Sequence, residues 1–175
     1  PFRATSYTRI NPREPDFIYF GSFYDGILKI NSKTSRAEVS VTKYNQYNSP
    51  LSPIDTEANQ DVRVNGPVFD TQGNGWLTNG LVDRPLRRFT TTGEWQNYQP
   101  GALTAVSSYS APVIDRNNTK WFGATNVGVI AFNERNNRSA TVSIFPSTTV
   151  YFLAIDQRNQ LWLGTFYCLR VFPLS

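Results

Sequence analysis

The chain has 175 residues, with 17 Lys or Arg against 13 Asp or Glu, so its formal net charge at pH 7 is +4. Aromatic residues make up 14% and charged residues only 17%, a balance that favours a packed β-sheet protein and excludes a disordered or coiled-coil chain. Histidine is absent, which excludes Ser-His-Asp and Cys-His catalytic groups and histidine-ligated zinc.

The first two predicted strands are 17–22 and 26–31, and Tyr19 lies at the centre of the first. A further strand is predicted at 39–44, before a loop rich in Asn, Ser and Pro. No segment of the chain has convincing helical periodicity. These observations predict an all-β protein.

Beyond this first segment, an aspartate followed six residues later by a tryptophan recurs three times. The three copies are Asp70 with Trp76, Asp115 with Trp121, and Asp156 with Trp162. The tryptophans are 121 − 76 = 45 and 162 − 121 = 41 residues apart. That spacing is typical of four-stranded β-propeller blades. Tyr19 marks a degenerate earlier copy, separated from Trp76 by a long insertion.

Each copy predicts a hairpin. It consists of a short apolar strand, then a turn rich in Asp, Asn and Gly, and then an aromatic strand. Third strands are predicted at 127–133 and 169–172, and fourth strands at 94–98 and 141–145. The chain is therefore predicted to be a single segment, 1–175, of about four propeller blades, and to be an arc or fragment of a larger propeller. The approximate blades are 9–47, 62–99, 108–146 and 150–175.

The repeated aspartates and tryptophans are interpreted as structural. Carboxylates can bind calcium or perform acid–base chemistry, but one aspartate per blade at a fixed turn position favours capping of backbone N–H groups. A tryptophan at a fixed strand position favours packing between adjacent blades, and the three are expected in equivalent buried positions. No metal, cofactor or catalytic residue is predicted.

The repeat resembles the two-component-regulator propeller repeat, which ends in a tryptophan, an aliphatic residue, a glycine and a threonine. The copy at 161–165 matches it well, while the two preceding copies depart at Thr78 and Ala124. This resemblance implies an extracytoplasmic propeller such as those of hybrid histidine kinase sensors.

A narrower resemblance covers most of the chain and is to the PorZ-type surface propellers of type IX secretion in Bacteroidetes. The segments that resemble this family are 48–51, 62–64, 69–79, 85–86, 93–95, 120–121 and 162–165. The resemblance implies a location at the cell surface and a role in attaching cargo to anionic lipopolysaccharide.

The basic cluster Arg84, Arg87 and Arg88 is the candidate ligand site, because guanidinium groups present forked donors to phosphate or carboxylate. The alternative is a solvated strand face, and strand alternation places Arg87 and Arg88 on opposite faces unless the strand bulges. Expected partners are an anionic glycan or lipopolysaccharide, or partner secretion proteins. No nucleic acid is expected, because the basic residues are spread along the chain without a nucleic-acid-reading motif.

The sequence and these resemblances therefore predict a non-enzymatic, extracytoplasmic propeller, in the periplasm or at the cell surface, that is a binding or assembly module similar to the PorZ-type components of type IX secretion. The alternative is an oligosaccharide-sensing domain of a hybrid two-component histidine kinase. A sialidase-like glycosidase using a tyrosine nucleophile is less favoured. No apolar stretch reaches the roughly 20 residues of a membrane-spanning helix, so no transmembrane segment is expected in this segment.

Overall fold

The computed structural model describes residues 2–33, 39–54, 57–58, 60–101, 103, 107–142 and 149–174. These residues form the strands β1 (Thr5–Asn11), β2 (Glu14–Ser22), β3 (Ile27–Asn31), β4 (Val41–Tyr44), β5 (Val64–Phe69), β6 (Gly75–Asn79), β7 (Leu86–Phe89), β8 (Trp95–Tyr98), β9 (Val113–Ile114), β10 (Lys120–Ala124), β11 (Gly128–Asn133), β12 (Arg138–Val142), β13 (Val150–Ile155), β14 (Gln160–Thr165) and β15 (Leu169–Pro173). Within the described ranges there is no helix suited to crossing a membrane.

Consecutive strands pair antiparallel into four sheets, which we call blades 1 to 4. Blades 1 to 3 contain β1–β4, β5–β8 and β9–β12, and the described part of blade 4 contains β13–β15. The four sheets are arranged as the blades of a β-propeller, which confirms the predicted fold class. The fourth strand that the sequence predicts at 141–145 begins earlier, at Arg138, and positions 143–145 lie outside the described residues.

The spacing of aspartate and tryptophan follows from one hydrogen-bonded unit. In blade 2, the Asp70 Oδ1 atom accepts hydrogen bonds from the backbone N–H groups of Gln72 (3.0 Å) and Asn74 (2.9 Å) and so closes the turn. Its other oxygen, Oδ2, accepts a hydrogen bond of 3.0 Å from the Trp76 indole Nε1. One carboxylate thus joins the turn to the aromatic strand that follows it.

Blades 3 and 4 repeat this unit. The indole Nε1 of Trp121 donates to Asp115 Oδ2 at 2.9 Å, and that of Trp162 donates to Asp156 Oδ2 at 3.0 Å. The indole and the backbone N–H of Gln160 lower the pKa of Asp156 from its ordinary value, because both donate to the ionised carboxylate. Blade 1 uses a variant in which the Tyr19 hydroxyl donates to Glu14 Oε2 at 2.8 Å.

Three apolar clusters hold consecutive blades together. The first joins blades 1 and 2 through Tyr19 and Leu77, the second joins blades 2 and 3 through Trp76 and Phe122, and the third joins blades 3 and 4. Trp76 has no exposed surface and stacks on Tyr98 with ring centroids 5.5 Å apart. The blades therefore stack in chain order by burying an aromatic face of one sheet against the next.

The tryptophans occupy equivalent strand positions but differ in burial, contrary to the expectation of equally buried sites. Trp76 is fully buried, whereas Trp121 and Trp162 are half-buried. Blade 4, which covers Trp121, contributes three described strands rather than four. No described blade follows Trp162.

Glycine is required where the inner strand of one blade crosses close to the preceding blade. A Cβ atom on Gly21 would lie 2.1 Å from the carbonyl oxygen of Gly66, and one on Gly123 would lie 2.8 Å from that of Val150. These glycines lie two positions after Tyr19 and Trp121. The glycine that follows the aromatic residue therefore permits the close approach of adjacent blades.

We predict that alanine substitutions of the tryptophans destabilise the protein in the order Trp76, Trp121, Trp162. Trp76→Ala removes a side chain buried between two blades and should cost about 3–5 kcal/mol of unfolding free energy, whereas Trp162→Ala should cost clearly less. Denaturant unfolding of the three variants measures this order. Equal losses of unfolding free energy for Trp76→Ala and Trp162→Ala would show that burial between blades does not determine how much these residues contribute to stability.

Candidate functional site

The innermost strands of the four blades surround a central cavity of about 510 Å³, which we call the hub pocket. Every blade contributes to its wall. Its lining includes Tyr7, Phe23, Arg63, Tyr109, Tyr151 and Phe152. The hub pocket is therefore the place where the propeller brings residues that are distant in sequence together.

The chain contains one extra residue wherever an inner strand reaches the hub. In β1, Ser6 is unpaired between the paired residues Thr5 and Tyr7, and in β13 Tyr151 is the corresponding extra residue. In β5, Gly66 and Pro67 together lie opposite one residue of β6. In blade 3, the three residues 110–112 are matched by only two on β10. Such bulges change the direction of side chains, and the bulge residues Ser6, Ser110, Ala111 and Tyr151 line the pocket.

Hydrogen bonds between blades support the pocket wall. The Ser6 hydroxyl donates to the carbonyl oxygen of Val64 at 2.7 Å, which joins blades 1 and 2. The Asn65 side-chain amide donates to the carbonyl oxygen of Tyr109 at 2.8 Å, which joins blades 2 and 3. The wall is thus held in place by the same strands that provide its lining.

Arg63 is the charged side chain in the described lining of the hub pocket. Its carbonyl oxygen accepts hydrogen bonds from the Gly80 backbone N–H and the Asn79 side chain, which fix the main chain. Within the described part of the chain, its guanidinium has no ion pair, and its buried Nε has no hydrogen-bond partner. A guanidinium without a partner can bind a carboxylate or phosphate as a forked donor.

Sequence analysis did not identify Arg63 as a site residue because it lies just before an inner strand, outside the basic cluster and outside the aspartate–tryptophan unit. Only the blade arrangement shows that this position faces a central cavity. Phe23 and Tyr151, which are exposed aromatic residues of the same pocket, come from the first and last blades. No single segment of sequence contains this combination.

The structure does not bring the three arginines of the predicted cluster to one surface. Arg87 is only 3% exposed and donates to the Ser52 hydroxyl at 3.3 Å. Burial, together with the nearby Arg84 charge, lowers the pKa of Arg87 to about 10. Arg88 points to the opposite face of β7, as strand alternation predicts, and forms an ion pair with Glu134.

Arg84 and Arg88 nevertheless share a groove of about 660 Å³ between blades 2 and 3, which we call the rim groove. Arg84 is exposed, with a positive φ of 53°. Glu134 lies in the same groove and neutralises Arg88. An anion site at this cluster stays a prediction, and it now depends mainly on Arg84.

Glu134 is the centre of a charged network between blades 2 and 3. Lys120 is fully buried, with its Nζ 3.8 Å from the Trp76 ring centroid and 3.6 Å from Glu134 Oε2. Burial lowers the pKa of Lys120, although Glu134 opposes that effect. The Tyr98 hydroxyl donates to Glu134 Oε1 at 3.0 Å, and burial with the Glu134 charge raises the pKa of Tyr98 to about 12. Glu134 thus compensates cations that the blade interface buries.

The described residues contain no cluster of three or more Asp, Glu, Cys or His side chains that could hold a metal ion. The described lining of the hub pocket includes one arginine and no carboxylate. A glycosidase requires an acid and a nucleophile on either side of the scissile bond.

We predict that Glu134→Gln destabilises the protein while Arg84→Gln does not. Removing one partner of a buried pair costs about 3–5 kcal/mol, and partial exposure of Glu134 reduces the expected loss to about 2 kcal/mol. Arg84→Gln should stay within about 0.5 kcal/mol of the parent. Denaturant unfolding measures both, and adding Lys120→Met to Glu134→Gln should restore part of the loss. Equal stability of the two single variants would contradict the role given to Glu134.

The comparisons with known proteins match structures but not sequences. No protein-family model matches the chain, and no curated protein does. PorZ, an essential surface component of the type IX secretion system of Porphyromonas gingivalis, is similar in structure with a TM-score of 0.76 at 18% identity, over 95% of this chain and 24% of PorZ.

Two extracellular domains from B. thetaiotaomicron are also similar. One, described as part of a one-component system, has a TM-score of 0.74 at 12% identity and is matched over 96% of this chain and 20% of its own. The other, described as part of a hybrid two-component system, has a TM-score of 0.68 at 15% identity, over 97% of this chain and 20% of its own. The chain thus spans about a quarter or less of these neighbours, and what it shares with PorZ and the regulator domains is the propeller fold.

Proposed function

We propose that the chain is part of a non-enzymatic, extracytoplasmic propeller that binds an anionic glycan in the hub pocket, as a PorZ-like component of the cell surface in type IX secretion. The observation that supports this proposal most is Arg63, which lines the pocket and whose buried Nε has no hydrogen-bond partner in the described chain. The structural neighbours are surface components or extracellular domains, which agrees with such a location.

The chemistry of the hub pocket suits an acidic sugar. Its volume of about 510 Å³ is within the range of small-ligand sites. Phe23 and Tyr151 offer ring faces on which sugar rings can stack, while Arg63 offers forked donors to a carboxylate or phosphate. The net charge of +4 favours the approach of an anionic ligand.

A second candidate function is the sensing of a neutral oligosaccharide by a two-component regulator. The exposed aromatic residues favour it, because stacking on a sugar does not require a charge. Two of the structural neighbours are regulator domains. The two functions differ in how strongly binding depends on salt and on Arg63.

Calorimetric titration of the 175-residue chain tests the proposal. The probes are deacylated lipopolysaccharide that bears phosphate groups and a neutral dextran oligosaccharide, at about 50 and about 300 mM NaCl, where the screening of charges differs. We expect the anionic probe to bind and to weaken with salt. Arg63→Gln should lower its affinity by about 10-fold or more, because a charge-assisted hydrogen bond contributes about 1.5–3 kcal/mol.

Arg84→Gln and Arg135→Gln are the matched controls. Arg84 tests the rim groove, and Arg135 is an exposed arginine on the turn between β11 and β12. Both variants should bind within about twofold of the parent. A loss of affinity for the anionic probe in Arg84→Gln alone would show that the site lies in the rim groove instead. Salt-insensitive binding of dextran would favour the sensor and contradict the anionic-glycan proposal.

A further inference from the structure

The outer edge of blade 2 is formed by β8, and no described strand pairs with it on its outer side. β8 is the last strand of its sheet and hydrogen-bonds to β7 alone. Propeller blades pack face to face, so this edge lies at the circumference of the propeller rather than between two blades. A free strand edge presents a row of main-chain N–H and C=O groups to which another extended chain can hydrogen-bond.

The pairing of β7 with β8 shows which main-chain groups point away from the sheet. The Thr90 N–H donates to the Glu94 carbonyl oxygen at 2.9 Å, so these two residues form a hydrogen-bonded pair at the end of the hairpin. Hydrogen-bonded and non-hydrogen-bonded pairs alternate along antiparallel strands. The register therefore makes Trp95 and Asn97 the residues of β8 whose N–H and C=O groups point toward the free edge.

Two adjoining grooves follow this edge. The rim groove is lined by four consecutive residues, 96–99, and a second groove of about 330 Å³ is lined by residues 94–96. Consecutive residues of a strand point to opposite faces of a sheet, so a groove lined by all of them runs along the strand edge rather than over one face. Arg88 and Gln96 line both grooves, so together the grooves follow β8 over its whole length.

The two ends of this edge carry opposite charges. Beyond Tyr98, the rim groove contains Arg84, which is exposed and forms no ion pair within the described ranges. At the other end, the second groove contains the exposed Glu94. Between them, Arg88 and Glu134 form an ion pair. An occupant of the edge is therefore complementary to it when an acidic group lies beside Arg84 and a basic group lies beside Glu94.

We propose that an extended segment of a partner protein binds as a fifth strand to the outer edge of blade 2, with an acidic residue beside Arg84 and a basic residue beside Glu94. The main-chain groups of Trp95 and Asn97 form the hydrogen bonds, and the end charges determine the direction of the segment. A strand added about 4.8 Å from β8 lies in the two grooves. The contact does not involve the hub pocket, so glycan binding there can succeed or fail separately.

A blocked peptide, acetyl-Glu-Thr-Val-Thr-Val-Thr-Lys-amide, is the probe. It consists mainly of strand-forming residues, and its end charges match those of the edge when it lies antiparallel to β8. Nuclear magnetic resonance of the ¹⁵N-labelled 175-residue chain follows the titration up to about 2 mM peptide, where weak binding is still detected. We expect a Kd below about 1 mM and saturable shifts centred on residues 94–99.

Two methylated forms of the peptide test whether the main chain makes the contact. Methyl groups on both valine nitrogens and methyl groups on two threonine nitrogens block opposite edges of the same extended peptide. One form should therefore bind at least about 10-fold more weakly than the unmethylated peptide, and the other within about twofold. Both forms leave the protein unchanged, so the result does not depend on the folding of a variant.

Three variants of the chain locate the contact. Asn97→Pro removes an N–H that points away from β7 and should weaken binding about fivefold or more, since proline is tolerated on edge strands. Arg84→Glu reverses one end charge and should weaken binding about threefold or more. Val41→Pro is the matched control, because Val41 is an outward-facing residue of β4, the outer strand of blade 1, and it should bind within about twofold of the parent. Unfolding midpoints and circular dichroism verify that the variants fold.

Four results would overturn the proposal. The first is the absence of saturable shifts at about 2 mM peptide. The second is equal affinity of the two methylated forms, which would show that the main-chain edge is not used. The third is a set of shifts confined to the hub pocket, or a loss of binding in Val41→Pro, which would place the peptide elsewhere. The fourth is a response of residues 94–99 to a neutral dextran oligosaccharide but not to the peptide, which would assign the grooves to a saccharide.

Discussion

The structure depends on a hydrogen bond between a turn carboxylate and the indole of the following strand. In blade 2 the Asp70 carboxylate accepts two backbone N–H groups and the Trp76 indole, so the turn and the aromatic side chain are fixed together. The indole can then be buried without leaving its N–H unsatisfied. Because the ring packs on the next blade, this local bond also determines how the blades stack.

Stacking of the blades in turn forms the hub pocket and the charged network between blades 2 and 3. Inner strands with one extra residue each meet around the hub, where Arg63 and aromatic residues line a common pocket. Farther out, the interface between blades 2 and 3 buries Lys120 and compensates it with Glu134. The proposed binding site at the hub and the charged network between blades 2 and 3 therefore derive from a single repeated geometry.

Sequence analysis predicted the fold because its determinants are local and repeated. The turn carboxylate and the indole are six residues apart, so their spacing is visible in the chain, and strand alternation correctly separates Arg87 from Arg88. Burial of Arg87 and pairing of Arg88 with Glu134 were not predictable, because both depend on loops and blades distant in sequence. Arg63 was missed for the same reason, since only the assembled hub shows what it faces.

Hydrogen exchange of the four tryptophan indole N–H groups, followed by nuclear magnetic resonance, tests the central claim most directly. The indoles of Trp76, Trp121 and Trp162 donate to carboxylates, whereas the Trp95 indole has no such partner among the described residues. We expect slow exchange for the first three, slowest for the fully buried Trp76, and fast exchange for Trp95. Exchange of the Trp121 and Trp162 indoles as fast as that of Trp95 would contradict the carboxylate–indole bond as the basis of the blades.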